Sequence, residues 1–166
     1  DLTHELKHLP PLHIPSEYRI QPVNHGQLEE VTLLRNHVFR TAHREEELET
    51  AIESKVISTN VTVGTTNVEI VGYCIAQKDS RSSSQEGSIV EIGVQNAHRR
   101  KGVGKAMLLM NLDWLKSLGC NRAIVNCKSD NVAALKLYRK TGFKTLRVKE
   151  KILEKSRITR KLAKVT

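Results

Sequence analysis

Apolar residues recur along the chain with two spacings, and each spacing predicts its own kind of element. Short runs of branched apolar residues predict strands over residues 18–23, 56–63, 68–76 and 122–127. Apolar residues three or four positions apart predict helices over residues 27–39, 41–54 and 131–141. The stretch 88–109 begins as a fourth strand and continues as a long helix that stops at Gly119. Residues 143–153 and 157–165 are expected to form two closing strands.

The first sixteen residues lack this periodicity and hold three of the four prolines. Residues 1–16 are therefore expected to be an N-terminal arm or linker, with the folded domain over residues 17–166. The first residue is Asp1, so a processed chain or a piece of a longer one is expected. An additional domain in the natural chain stays open.

A basic turn that contains glycine joins the fourth strand to the long helix. Its seven residues are Arg99, Arg100, Lys101, Gly102, Val103, Gly104 and Lys105. Glycines allow tight turns and close approach to a ligand, and the amides at a helix start point together where the dipole favours negative charge. The turn therefore suits a phosphate, although an ordinary solvated turn would share its composition.

A second segment, residues 131–143, predicts an amphipathic helix. Asn131 can cap its start, and Gly142 can stop it. Its inward face carries Ala134, Leu137 and Tyr138 at helical spacing. Taken alone, this segment predicts no more than a packed helix with a half-buried tyrosine.

Together the two segments resemble the signature motifs of the GNAT superfamily of N-acetyltransferases. The spacing Arg99-x-x-Gly102-x-Gly104 resembles the coenzyme A pyrophosphate loop of that family, and residues 131–143 resemble its second motif. The resemblance extends over about residues 17–165. It implies an α/β (α+β) fold with a mixed sheet of about six or seven strands, about four helices, and splayed fourth and fifth strands.

The resemblance also implies that acetyl-CoA is the co-substrate and that no metal takes part. The pantetheine arm would contact the main chain of Ile92, Gly93 and Val94, and Asn131 would hydrogen-bond it. The pyrophosphate would bind the amides of Arg100, Lys101, Gly102, Val103, Gly104 and Lys105, with Arg99 bracing the loop.

The chemistry that follows needs an acid for the leaving thiolate and a base for the attacking amine. Tyr138 would lie near the sulfur, and because a phenol of pKa about 10 is protonated at neutral pH, it is the expected general acid. Glu91, in the fourth strand beside the expected thioester site, is the best candidate for the base. The alternative is that Glu91 forms a salt bridge or binds substrate.

Other carboxylates and His98 are weaker candidates for the base. Some branches of the family carry a catalytic Glu earlier in this strand, where this chain has Ser88. Glu69 lies on the neighbouring strand, and His98 is expected to pack in the loop or contact phosphate.

Composition narrows the class of protein but not its substrate. The formal charge of +9 suits a polyanionic ligand, whereas an aromatic content of 4% makes nucleic acid an unexpected partner. No apolar run is long enough to span a bilayer, so no membrane partner is expected. Three cysteines without metal-ligand spacing (Cys74, Cys120 and Cys127) indicate reduced thiols and a cytoplasmic protein. A homodimer stays open.

The sequence thus predicts transfer of an acetyl group from acetyl-CoA to a primary amine by direct attack in a ternary complex. A small-molecule amine is the expected acceptor. A protein or peptide N-terminus is an alternative acceptor, and a non-catalytic acyl-CoA-binding regulatory domain of a larger protein is an alternative function.

Overall fold

The structure is a computed structural model, and it describes residues 1–146. Its strands are β1 (Leu2–Glu5), β2 (Arg19–Pro22), β3 (Ile57–Thr65), β4 (Ile70–Asp79), β5 (Glu86–Val94), β6 (Arg122–Val125) and β7 (Lys144–Thr145). Its α-helices are α1 (Leu28–Phe39), α2 (Glu45–Glu53), α3 (Val103–Ser117) and α4 (Val132–Lys140). The four predicted helices and the five strands predicted between residues 18 and 127 are confirmed, with ends that differ by a few residues.

Residues 1–146 contain one mixed sheet of seven strands, in the order β2-β3-β4-β5-β6-β1-β7, which confirms the predicted fold class. Its pairs are antiparallel except β5–β6, which are parallel and joined through α3. Helices cover both faces of the sheet, because two separate clusters of buried side chains lie against it. The larger cluster includes the apolar stripe of α3 (Val103, Met107, Leu108, Leu112 and Leu115) together with Tyr138 of α4. The smaller cluster packs α1 and α2 against the sheet and includes Leu28, Val31, Leu48, Val63 and Tyr73.

The N-terminal residues are part of the sheet, which corrects the expectation of an arm or linker over residues 1–16. β1 pairs antiparallel with β6 on one side, with Leu2 opposite Val125, and with β7 on the other. The inward positions Leu2, His4 and Leu6 are all buried. The sequence concealed this strand because it is only four residues long and because its partner in β6 lies about 120 residues further along the chain.

The ladder between β5 and β6 is short, as the splayed fourth and fifth strands of the sequence prediction require. It runs only from the pair Glu86–Arg122 to the pair Ile89–Val125. The register between β4 and β5 shifts just beyond that point, since Ile75 lies opposite Glu91 while Ala76 lies opposite Ile89. Val90 is thus the extra residue of a β-bulge, and bulges bend the strand that carries them.

The two closing strands of the sequence prediction lie almost entirely outside the described residues. Only Lys144–Thr145 is present as β7. Within the described part of the chain, no helix has the length and apolar character needed to cross a bilayer.

Replacing Leu6 with alanine tests whether the N-terminal strand is integral to the fold. Leu6 is 1% exposed, whereas Leu12, on the same segment, is 48% exposed. We expect Leu6→Ala to lower the free energy of unfolding by about 2–5 kcal/mol, the usual cost of a large-to-small core change. The matched control Leu12→Ala should change it by no more than about 0.5 kcal/mol. Urea titration of both variants measures the difference. Equally small changes in the free energy of unfolding would mean that residues 1–16 are an arm and not an integral part of the fold.

Candidate functional site

The basic turn before α3 has the backbone of an anion-binding loop. Arg100 and Gly102 have positive φ values of 63° and 90°, so successive amides turn toward a common side. No side chain caps the start of α3, and the amide of Ala106 is bonded to the carbonyl of Gly102. The amides of the first turn, including those of Val103 and Gly104, precede any helical partner and are available to an external acceptor.

The turn is held in place from both sides. The guanidinium of Arg99 donates from Nε to the carbonyl of Val94 at 2.9 Å, which is the bracing contact expected of it. The hydroxyl of Tyr18 lies 3.0 Å from Nδ1 of His98, and their rings meet edge to face. Pro15 lies against Gly102, 3.2 Å from where a Cβ would be. These contacts attach the turn to the end of β5 and to the N-terminal segment.

The exposed edge of β5 presents only some of the main-chain groups that the sequence analysis chose. Hydrogen-bonded and non-bonded pairs alternate in an antiparallel ladder, and the amide of Gln95 donates to the carbonyl of Val71 at 2.8 Å. By that alternation the main chain of Gly93 faces β4, whereas the amides of Ile92 and Val94 face away from β4. The expectation of a main-chain ligand contact at Gly93 is therefore wrong, because β4 already takes those groups.

The start of α4 and the start of α3 meet at this edge. Asn131 caps α4 as predicted, since its Oδ1 accepts from the amide of Ala134 at 3.1 Å, which leaves its side-chain N–H groups available. A Cβ at Gly104 would lie 3.5 Å from Val94 and 3.7 Å from Leu137. The phosphate-type loop, the open strand edge and α4 thus converge.

Tyr138 lies 4% exposed in the larger cluster, with its ring edge to face with Phe143. Within residues 1–146 its hydroxyl has no hydrogen-bond partner. Burial, followed by the nearby thiols of Cys74 and Cys127, raises the pKa of Tyr138 well above its ordinary value. The phenol is accordingly a protonated donor at neutral and mildly alkaline pH, as an acid for a thiolate must be.

Glu91 lies at the bulge of β5 and is held by two side chains from other elements. Arg35 of α1 donates Nε to Oε1 at 2.8 Å and Nη2 to Oε2 at 3.1 Å. The hydroxyl of Tyr73 of β4 also donates to Oε1. The side chains of Arg35 and Glu91 are 15% and 19% exposed. The salt bridge that the sequence analysis left open is present, and it leaves part of the carboxylate accessible.

Tyr138 and the partner of Glu91 lie on opposite faces of the sheet. Tyr138 belongs to the cluster under α3, whereas Tyr73, the partner of Glu91, belongs to the cluster under α1 and α2. The neutral hydroxyl and the carboxylate thus belong to different faces, and a group bound between them could receive a proton from one and give a proton to the other.

The weaker candidates lie elsewhere. Ser88 is within the β5–β6 ladder, opposite Ile124, and its hydroxyl lies 3.4 Å from the carbonyl of Gln77. Glu69 and His98 contact each other instead, with Nε2 of His98 3.6 Å from Oε1 of Glu69. Among residues 1–146, no group of three or more acidic, cysteine or histidine side chains could hold a metal ion.

Sequence analysis missed Arg35 and Tyr73. Arg35 lies 56 residues before Glu91, and nothing in the periodicity of α1 marks it. The one available signal was Gly93, because a Cβ there would lie 2.8 Å from the ring of Tyr73. A small residue opposite a large aromatic one in a paired strand indicates that the ring crosses to the next strand.

Comparisons with known proteins identify the family of the chain. The model of the acetyltransferase (GNAT) family matches residues 24–143. A mycothiol acetyltransferase of Renibacterium salmoninarum is 35% identical over 57 residues, which are 34% of this chain and 17% of that protein. An N-alpha-acetyltransferase of Sulfurisphaera tokodaii is 28% identical over 89 residues, 48% of this chain and 53% of that protein. The chain thus matches between about a sixth and about half of the length of these relatives.

A solved structure shares the fold at low sequence identity. The structure of AAC(6')-Iy in complex with the bisubstrate analogue CoA-S-monomethyl-acetylneamine superposes with a TM-score of 0.68 at 20% identity. The alignment covers 80% of this chain and 95% of that one. Because the family model covers well over half of the chain, including the loop, the open strand edge and α4, the chain belongs to the acetyltransferase (GNAT) family.

Proposed function

We propose that the protein transfers an acetyl group from acetyl-CoA to a primary amine by direct attack within a ternary complex. One observation carries the proposal. The uncapped start of α3 meets the open edge of β5 and the helix α4, which carries Tyr138, just beyond the point where the β5–β6 ladder ends. The start of α3 suits a pyrophosphate, the open edge of β5 suits an arm that carries amides, and Tyr138 suits a thioester sulfur.

The residues present fit coenzyme A. The amides from Arg100 to Lys105, with their basic side chains, suit its pyrophosphate. The main chain of Ile92 and Val94 can pair with the pantetheine arm as a further strand would, and the free side-chain N–H groups of Asn131 can donate to it. When bound, the co-substrate supplies an activated acyl group whose leaving atom is a thiolate.

The residues around the gap then have distinct tasks. The amide of Val94 faces the gap and can polarise the thioester carbonyl. Tyr138 donates its proton to the departing sulfur, and Glu91 accepts a proton from the amine that attacks. Of the three protons of an ammonium substrate, one remains on the amide nitrogen, one replaces that of Tyr138, and one leaves to solvent through Glu91.

The acceptor proposed is a small-molecule amine. The mycothiol acetyltransferase relative and the complex that contains acetylneamine support this class. The helix α2 contributes exposed carboxylates near α1, among them Glu47, whose charge acts on Arg35. A peptide N-terminus is the second candidate, and it is favoured by the similarity to an N-alpha-acetyltransferase.

A thiol-release assay with acetyl-CoA tests the proposal and separates the acceptors. We expect release with neamine above the hydrolysis background and weaker release with a peptide that begins with alanine. The reverse order would assign the peptide acceptor. Tight CoA binding by calorimetry without release from any amine would instead indicate a non-catalytic acyl-CoA-binding domain.

Replacing Gly102 with alanine tests the loop. Gly102 requires a positive φ of 90°, and Gly119 requires one of 80° in open space beyond α3. Both substitutions strain the backbone, but only Gly102→Ala should disturb the anion-binding amides. We expect its CoA dissociation constant to rise by about tenfold or more, the equivalent of about 1.4 kcal/mol. Calorimetry on the control Gly119→Ala should give the wild-type constant, and equal losses would separate the loop from CoA binding.

Replacing Tyr138 with phenylalanine removes the proposed acid but keeps the ring that packs on Phe143. We expect kcat to fall by about 10²–10⁴-fold, the usual contribution of general acid catalysis, with CoA affinity unchanged. Because burial raises the pKa of Tyr138, the wild-type rate should not decline through loss of this proton below about pH 10. Steady-state rates across pH measure both effects, and wild-type turnover in the variant would remove Tyr138 from the mechanism.

A further inference from the structure

We propose that Arg35 and Tyr73 are positioning residues that orient Glu91 so that the amine, or a water that carries its proton, reaches Oε2 alone. The inference rests on the proposed function and deepens it by naming the acceptor atom. It concerns three elements that converge on one carboxylate: α1, β4 and β5.

The count of hydrogen bonds on Glu91 leaves one acceptor position. An ionised carboxylate offers two lone-pair directions on each oxygen. Oε1 accepts from Nε of Arg35 and from the hydroxyl of Tyr73, so both of its directions are taken. Oε2 accepts only from Nη2 of Arg35 among residues 1–146. Since the side chain is 19% exposed, the remaining direction of Oε2 is the accessible one.

Tyr73 cannot easily leave this arrangement. Its side chain is fully buried, and its ring lies over Gly93, where a Cβ would approach to 2.8 Å. Burial and the neighbouring Glu91 raise the pKa of Tyr73 far above its ordinary value, so the hydroxyl always has a proton to donate. The absence of a side chain at Gly93 therefore makes room for the ring of Tyr73 and not for a ligand. This accounts for a glycine at a position whose main chain faces β4.

Arg35 contributes charge as well as direction. Burial alone would lower the pKa of Arg35, but its hydrogen bond and attraction to Glu91 outweigh that effect and raise it. Its planar fork contacts both carboxylate oxygens and so fixes the rotation of the carboxyl group, which a single ammonium could not do. The bulge at Val90 sets the position of Glu91 along the strand, and Arg35 sets its orientation.

The proton transfer then has a defined route. As the amine nitrogen forms its bond to the acyl carbon, its N–H proton passes to Oε2 of Glu91, directly or through one water. The C–S bond breaks, and the thiolate takes the proton of Tyr138. An ammonium substrate has first lost one proton to solvent. Glu91 then releases the proton it accepted, and one proton from solvent returns to the Tyr138 phenolate, so each turnover leaves both side chains as they began and releases one net proton.

A double-mutant cycle tests whether Tyr73 acts through Glu91. With neamine and acetyl-CoA, or the best amine of the panel above, Glu91→Gln should lower kcat by about 10²-fold and Tyr73→Phe by about 10-fold. In the Glu91→Gln background, Tyr73→Phe should change kcat by less than about twofold, because the carboxylate it orients is gone. The CoA dissociation constant should stay at the wild-type value in all three variants, which shows that they are folded.

Arg35 variants provide a second test on the same site. Arg35→Lys keeps the charge but loses the fork, whereas Arg35→Gln loses the charge. We expect kcat to fall in the order wild type, Arg35→Lys, Arg35→Gln, with KM for acetyl-CoA unchanged. A purely structural role would lower thermal stability in both variants without this order in kcat.

The chain offers a matched control at the other end of β5. Glu86 pairs with Arg122 of β6, and their side chains are 28% and 26% exposed. Glu86→Gln should lower stability slightly and leave kcat unchanged. Additive losses of kcat in the Tyr73 and Glu91 cycle, in an enzyme that releases thiol, would overturn this inference alone. A wild-type chain that binds CoA but releases no thiol would overturn the proposed function and this inference with it.

Discussion

The early end of the β5–β6 ladder is the constraint on which the site depends. Two parallel strands pair for four residues and then part, so β5 continues for five more residues with one edge unpaired. Main-chain N–H and C=O groups cannot remain buried without partners at low cost. The open edge must therefore face solvent or receive a ligand that supplies equivalent groups. A chain with the hydrogen-bonding pattern of a peptide, such as pantetheine, meets that requirement, and the bulge at Val90 marks where the edge opens.

The loop and the gap depend on each other through α3. Gly64, Gly72 and Gly87 allow α3 to lie close to the sheet, since a Cβ at each would approach Val103, Met107 or Leu115 to between 2.4 and 2.8 Å. This close packing fixes where α3 begins relative to the end of β5. Its first amides then fall at the level of Val94, where Arg99 joins the loop to the end of β5. The position of the anion-binding amides is thus a consequence of core packing under a different part of the helix.

The sequence could predict features that one continuous segment forms, but not features that join segments far apart in the chain. The turn from Arg99 to Lys105 and the helix from Asn131 to Gly142 are continuous segments, so their residue patterns could predict both elements and suggest a chemistry for each. β1 was hidden because Leu2 finds its partners in β6 and β7, far along the chain. The direction of the main chain at Gly93 depends on the register with β4, which no single strand encodes. The contacts of Glu91 needed three separate elements to meet, so the sequence could nominate the carboxylate but not its partners.

The same network explains why a charged group can lie at the gap without weakening the fold. A carboxylate that is mostly removed from water is costly unless it is paired and fully hydrogen-bonded. Glu91 is paired with a guanidinium, a buried phenol completes the hydrogen bonding of Oε1, and the one open position on Oε2 belongs to a side chain that is still 19% exposed. Tyr138 differs, since its hydroxyl is neutral, has no partner among residues 1–146, and is not one of the fully buried polar atoms left without a hydrogen bond. Glu91 is held by its neighbours, whereas the hydroxyl of Tyr138 is available to a ligand. The proposed reaction needs this difference, because it requires an oriented proton acceptor and a proton donor that has no other partner.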